Sequence, residues 1–338
     1  MKTKYIGSIL LVGVVLAGCG GSSSSSSVPA STAAKVAITS TNQSTITNTA
    51  INSATSQLAS NSSLSIVGGV QTTTTPSNDP VLTQWADFAF NHIANQQNMP
   101  AGVAGAVTSY NCGSTAASGT YTVDTDNTTY ITFTFNSCVL GSSTTNGTMS
   151  LSGVSITKNT AGVITAISAN FSFDLTTVTT TSSGSVTYKL VGGFNIAATG
   201  IKTTSRKDSI SGTTLSASVG TKYATLSNFS FTSTYDNTTT TPSTSSTIDY
   251  TYASDLIAAA FDFHTVNALV KNYFDSYPRS GQVIISGANS TAVKVTVVST
   301  DANAGTSTGT VQLQLSSDGG ATYGTAVTKT WAQIAAGL

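Results

Sequence analysis

Val163-Ile164-Thr165-Ala166-Ile167-Ser168-Ala169-Asn170-Phe171-Ser172-Phe173-Asp174-Leu175 decides the fold class. In an extended chain Val163, Ile167, Ala169, Phe171, Phe173 and Leu175 fall on one side. Ser168, Asn170, Ser172 and Asp174 fall on the other. Strand side chains alternate between faces with a period of two. The stretch therefore predicts a long strand with one apolar and one polar face. Residues 186–198 repeat the pattern, with Val186, Tyr188, Leu190, Phe194, Ile196 and Ala198 in phase.

Working outward, further strands follow. Tyr121–Val123 and Tyr130–Phe135 flank Asp124-Thr125-Asp126-Asn127, which reads as a hairpin turn. In residues 149–156 the apolar set changes parity at Gly153, and in residues 224–231 it changes at Asn228. Gly and Asn tolerate positive φ, so both sites predict β-bulges. They lie 75 residues apart, with Leu190–Ile196 roughly midway. This spacing is that of a hairpin-sized unit repeated about every 37 residues. Leu256–Phe261 reads as helix or strand, and the alternation of Phe261, Phe263 and Thr265 makes the later part strand. Beyond the Tyr277-Pro278 turn come Val283–Ser286, Ala292–Val298, Val311–Leu315 and Val327–Trp331.

Composition agrees. The chain holds 61 Thr and 51 Ser, and only 8% of its residues are charged. Thr, Val, Ile, Phe and Tyr favour strands, while strong helix formers are scarce. Every one of the 13 acidic residues is Asp. There is no basic stripe for nucleic acid and no polybasic membrane patch. Two helices are expected before the sheet. Residues 46–58 have weak helical spacing. Asp79 and Pro80 can open a second helix, whose stripe of Val81, Leu82, Trp85, Phe88, Ala89 and Ile93 would pack on a sheet. The expected fold is mainly β: a long-stranded antiparallel meander, as a curved sheet, partial barrel or sandwich, with one or two N-terminal helices packed on it.

The N-terminus carries Lys2 and Lys4, then an apolar run from Tyr5 to Ala17, then Leu16-Ala17-Gly18-Cys19. A run of 13 residues is too short to span a bilayer, which needs about 20, and has the form of a secretory signal. The tetrapeptide resembles the lipobox of bacterial lipoproteins. That resemblance implies cleavage before Cys19, acylation of Cys19 and stable anchoring by two or more chains. Gly20 at the next position favours the outer membrane by the same resemblance. The mature chain would carry 11 basic and 13 acidic residues, a net charge of −2 (11 − 13). The organisation expected is a signal peptide over 1–18, a lipidated flexible tether over 19–44, a helical segment over 45–100, a main β domain over 101–276 and a small C-terminal β module over 277–338.

In an exported chain Cys112 and Cys138 are expected to form a disulfide. It would add about 3.5 kcal/mol by restricting the unfolded chain. The pattern of residues 105–335 also resembles a loose group of uncharacterised, exported β-rich proteobacterial lipoproteins. These pair a cysteine-bracketed hairpin with a later Tyr-Pro…Gly turn (Tyr277-Pro278…Gly281), an aspartate/glycine loop (Asp318-Gly319-Gly320) and a closing Thr-Trp (Thr330-Trp331). The resemblance implies no activity.

Candidate chemistry is sparse. Asp262 and His264 would share one face of a strand and could orient each other as an acid/base pair. Asp124-x-Asp126-x-Thr128 could supply oxygen ligands to calcium, but an EF-type loop needs more acidic positions and a closing Glu, which the chain lacks, so an ordinary Asx-type hairpin turn is the favoured reading. Gly305-Thr306-Ser307-Thr308-Gly309 matches G-x-S-x-G, but a nucleophile elbow needs a strand before it and a helix after it. No cofactor, metal site or nucleic-acid partner is expected. The expected role is a non-catalytic binding or scaffolding protein held at the outer membrane by its lipid, with a hydrophobic ligand or an envelope protein as partner. A lipid carrier, a hydrolase and a membrane-spanning barrel are the alternatives, in that order.

Overall fold

The computed structural model describes residues 29–55, 107–112, 118–127, 130–140, 143–181, 184–201, 203–255 and 257–337. Fourteen strands dominate it: β1 (Val107–Asn111), β2 (Thr120–Asn127), β3 (Tyr130–Leu140), β4 (Ser143–Lys158), β5 (Ile164–Thr181), β6 (Gly184–Thr199) and β7 (Ser205–Val219), followed by β8 (Lys222–Asp236), β9 (Ser243–Ser254), β10 (Ala259–Asn272), β11 (Ser280–Ser286), β12 (Ala292–Val297), β13 (Thr310–Ser316) and β14 (Val327–Thr330). Helices α1 (Gln43–Thr55) and α2 (Trp331–Ala335) accompany them. The expected helix of residues 79–98 lies outside the described residues.

All fourteen strands form one sheet in chain order, each antiparallel to the next. The sheet is an open meander whose edges are β1 and β14. A membrane-spanning barrel requires closure, because lipid leaves an unpaired edge unsatisfied. The boundary expected at residue 277 falls inside the sheet, since β10 pairs with β11 across it. Pairing continues without interruption from β11 to β14, so the last four strands extend the meander.

Burial follows the alternation. Phe171, Phe173 and Leu175 of β5 are buried, as are Phe229 and Phe231 of β8, Tyr250 and Tyr252 of β9, and Phe261 and Phe263 of β10. They belong to one continuous core that runs from β2 to α2. β5 and β6 pair without a break from Ala166↔Thr199 to Thr181↔Gly184. Phe171 stacks on Phe194 across them, with ring centroids 5.3 Å apart.

Both predicted bulges are present. Gly153 has φ +60° where the β4–β5 register shifts, and Asn228 has φ +48° where β8–β9 shifts. Gly192 lies at a third shift, between β6 and β7. Gly153 and Asn228 each sit in a strand with one extra residue, which swaps that strand's faces beyond it; at the third shift the extra residue lies in β7 and β6 keeps its phase. Gly212 has a different role. A Cβ there would lie 2.4 Å from Cζ of Phe229 and 2.7 Å from the Gly193 carbonyl oxygen. Only a residue without a side chain admits that ring.

Part of the expected flexible tether is fastened. Ser31 Oγ donates to Asp255 Oδ1 (2.6 Å), and Ser31 N donates to Thr225 Oγ1 (2.9 Å). Lys35 pairs in parallel with Ala260 at the start of β10 and forms an ion pair with Asp262. Ala288 N donates to Val36 O (2.8 Å). Asn42 then leads into α1, where Ile46, Ala50 and Ile51 are buried and the Ala50 carbonyl accepts from Tyr250 Oη (2.9 Å).

Cys112 and Cys138 form the expected disulfide, with Cα atoms 5.4 Å apart. It joins the end of β1 to β3, across β2. The Cys112→Ser/Cys138→Ser chain should lose about 3 kcal/mol of unfolding free energy, read as a lower urea midpoint; an unchanged midpoint would show that the bond does not constrain the unfolded chain. Gly212→Ala should cost about 1–3 kcal/mol through overpacking, measured in the same titration.

Candidate functional site

The structure places Asp262 and His264 on the same face of β10, as their spacing predicts, but does not pair them. His264 Nδ1 lies 2.5 Å from Asp249 Oδ1, on the neighbouring strand β9. Asp262 binds Lys35 and accepts from Thr251 Oγ1 (2.8 Å). Asp249 was missed because strand pairing, not sequence proximity, brings it 15 residues back to His264. The local ladder explains the geometry. Register shifts between β9 and β10, and Thr265 Oγ1 fills the gap by donating to Ile248 O (2.7 Å) and accepting from Ile248 N (2.8 Å). His264 and Asp249 are 64% and 45% exposed in their side chains. The partner of His264 is a carboxylate, and among the described residues no hydroxyl nucleophile hydrogen-bonds its ring, as a hydrolase triad requires. Such an exposed pair is worth about 0–1 kcal/mol.

The other candidates resolve into structure. Asp124 and Asp126 belong to β2, which continues through Asn127 and pairs with β3, so the hairpin turn falls after the expected tetrad. Ser307 lies in the turn between β12 and β13, with a strand following where an elbow needs a helix. Its carbonyl accepts from Ala332 N (2.7 Å). The neighbouring Gly305 has φ +90°, and a Cβ there would lie 2.4 Å from Cγ of Asp275. The Gly305 carbonyl accepts from both Ser276 N and Tyr277 N at 3.0 Å. Tyr277 in turn stacks on Trp331, with centroids 5.2 Å apart. The Tyr-Pro turn, the G-x-S-x-G loop and the closing Thr-Trp thus form one structural knot. Asp318 accepts from Ser316 Oγ (2.6 Å) and Thr322 N (3.0 Å), and these bonds hold its carboxyl far below the ordinary range. Cys19 lies outside the described residues.

A different polar group was not legible in the sequence. At the end of the sheet carrying the β8–β9 and β10–β11 turns, the buried face changes from apolar to polar in two steps. Ile210, Phe231 and Ile248 form an apolar row across β7, β8 and β9. The next row outward is Asp208, Ser233, Ser246 and Leu269. The outermost is Arg206, Tyr235, Thr244 and Lys271, again direct cross-strand neighbours. Asp208 is only 7% exposed, and Arg206 Nε donates to its Oδ1 at 2.7 Å. The Arg206 guanidinium leans over the Tyr235 ring, 5.9 Å from its centre. Ser233 and Ser246 share a hydrogen bond of 2.8 Å.

Burial shifts three of these groups. It pushes the Asp208 carboxyl up, against the opposing pull of Arg206. It pushes the Tyr235 hydroxyl up, helped by the Asp208 charge. It pushes the Lys271 ammonium down, although the charge of Asp275 opposes this. Each charge is strained by partial loss of water. The arrangement can bind polar or charged groups; it holds no nucleophile activated by a base. Compared with known proteins, the chain matches no family model, no curated protein and no solved structure.

The raised Asp208 fixes the sign of a pH effect. Below the ordinary carboxyl value of 3.8 the group is neutral in both folded and unfolded chains. As pH rises above it, the unfolded chain ionises first and the fold loses stability until the buried carboxyl also ionises. Asp208→Asn should therefore melt higher than the parent at pH 7 and lose that advantage at pH 3. A variant that melts lower at pH 7 would show that the Arg206 bond outweighs the burial.

Proposed function

We propose that the chain is an exported protein anchored to the bacterial outer membrane by acylation at Cys19, with a non-catalytic binding or scaffolding role at the envelope. The observation that carries this reading is the fastening of residues 31–38 beside the start of β10. Ser31 follows Cys19 by 12 residues (31 − 19). A flexible link of that length spans about 20 Å on average and at most about 40 Å. An acyl anchor at Cys19 would thus hold the sheet by the end bearing the β7–β8 and β9–β10 turns. The opposite end, with the Arg206–Lys271 row, would face away. The Cys112–Cys138 bond supports an oxidising compartment.

A second reading is a carrier of a lipid or other hydrophobic ligand. Its support is the long aromatic face of an open sheet of fourteen strands. Open twisted sheets rarely exceed about ten strands without curling, and a curled sheet could enclose an apolar ligand. On this view the sheet is a curved one rather than a sandwich.

Cells fed an alkyne fatty acid should incorporate it into the chain, and Cys19→Ala should abolish labelling and release the protein from the membrane fraction. A native chain that is unlabelled, soluble in the cytosol and reduced at Cys112 and Cys138 would refute the assignment.

A further inference from the structure

We infer that the Arg206–Tyr235–Thr244–Lys271 row is the head-group site for an anionic amphiphile, a hydrocarbon chain ending in a phosphate or carboxylate. This deepens the binding role proposed above and does not depend on the anchor. The four residues are consecutive cross-strand partners on one face, spanning β7 to β10. Strands lie about 4.8 Å apart, so the two cationic residues stand about 14 Å apart at the backbone. Their side chains close that gap. The Arg206 guanidinium already leans one strand inward over Tyr235. An anion above Tyr235 and Thr244 would lie within reach of the guanidinium, the ammonium and both hydroxyls.

Charge bookkeeping favours an anion. The nearby carboxylates are committed: Asp208 to Arg206 at 2.7 Å, and Asp275 to Arg279 at 2.7 and 3.0 Å. Lys271 has no ion pair within 4.0 Å among the described residues, yet it is partly buried, which disfavours its charge. A bound anion would restore what burial removes. The Tyr235 hydroxyl, held protonated by burial, would donate. The direction of the chain follows from the rows. Inward from the cations lie the Ser233–Ser246 hydroxyls and then Ile210, Phe231 and Ile248. Ile210, Phe231 and Ile248 are buried, so a ligand with its charge at Lys271 would insert its hydrocarbon into the core behind the cations and not lie on an open face.

The test uses the full acylated chain in nanodiscs of zwitterionic lipid, titrated calorimetrically with decyl phosphate, decanol and inorganic phosphate. Empty nanodiscs correct for partition. Decyl phosphate should bind more tightly than either control. Arg206→Gln and Lys271→Gln should each weaken it about tenfold, the loss of one charge-assisted contact, and leave decanol unaffected. Tyr235→Phe, which keeps the ring, should weaken it less. Equal affinity for decyl phosphate and decanol would overturn the head-group site while leaving a hydrophobic-ligand carrier standing. Decyl phosphate affinity unchanged in folded Arg206→Gln and Lys271→Gln chains would overturn it as well. Binding of none of the three would overturn both this site and the carrier, while the fatty-acid labelling of Cys19 would still decide the anchor on its own.

Discussion

Backbone pairing of each strand with its immediate successor is the constraint on which the rest depends. In a meander each strand pairs with the next in sequence, so no crossover has to cover either face. Each interior strand satisfies its backbone groups on both sides, from β2 to β13. What remains free is the phase of the side chains. A slip of one residue would carry Phe171 and Phe173 to the solvent face and Ser172 to the core. The long uninterrupted β5–β6 register prevents this, and the stacked Phe171–Phe194 pair adds about 0.5–1.5 kcal/mol beyond its buried area. Where β4 and β8 must change phase, Gly153 and Asn228 absorb the extra residue at positive φ.

The exclusive use of Asp has a physical reading. Asp255 binds Ser31, Thr32 N and Tyr223 N; Asp301 accepts from Asn303 N and Thr310 N; Asp318 accepts from Thr322 N and Ser316. Each short carboxylate reaches backbone N–H groups near its own turn, which a longer Glu side chain matches less well. In a chain with only 8% charge, these three carboxylates serve as staples of the backbone. Two other groups serve differently: Asp249–His264, which joins β9 to β10 on the polar face, and Arg206–Asp208, two residues apart along β7 on the buried one.

Those two groups differ in consequence. Asp249 and His264 are largely exposed, where their attraction is screened. Arg206, Asp208, Tyr235 and Lys271 sit at the boundary between an aromatic core and solvent, where burial disfavours the charged forms of Asp208, Tyr235 and Lys271. The fastened strap lies toward the other end of β10, beside Ala260. Any tether upstream of Ser31 therefore leaves the sheet at the end away from the polar rows.

The sequence by itself determined the antiparallel strands, the two bulges and the disulfide, because each depends on local periodicity, on φ preference or on a pair of cysteines. It also placed Asp262 and His264 on one face of a strand. It could not reveal that His264 turns to Asp249, that Asp124 and Asp126 lie within a strand, or that residues 31–38 bind the sheet. Only the tertiary structure decided those, because they depend on which strand lies beside which and in what register. The polar rows at the end of the buried face have the same origin. Arg206, Tyr235, Thr244 and Lys271 come from four strands, and the hydrogen-bonded ladder alone makes them neighbours.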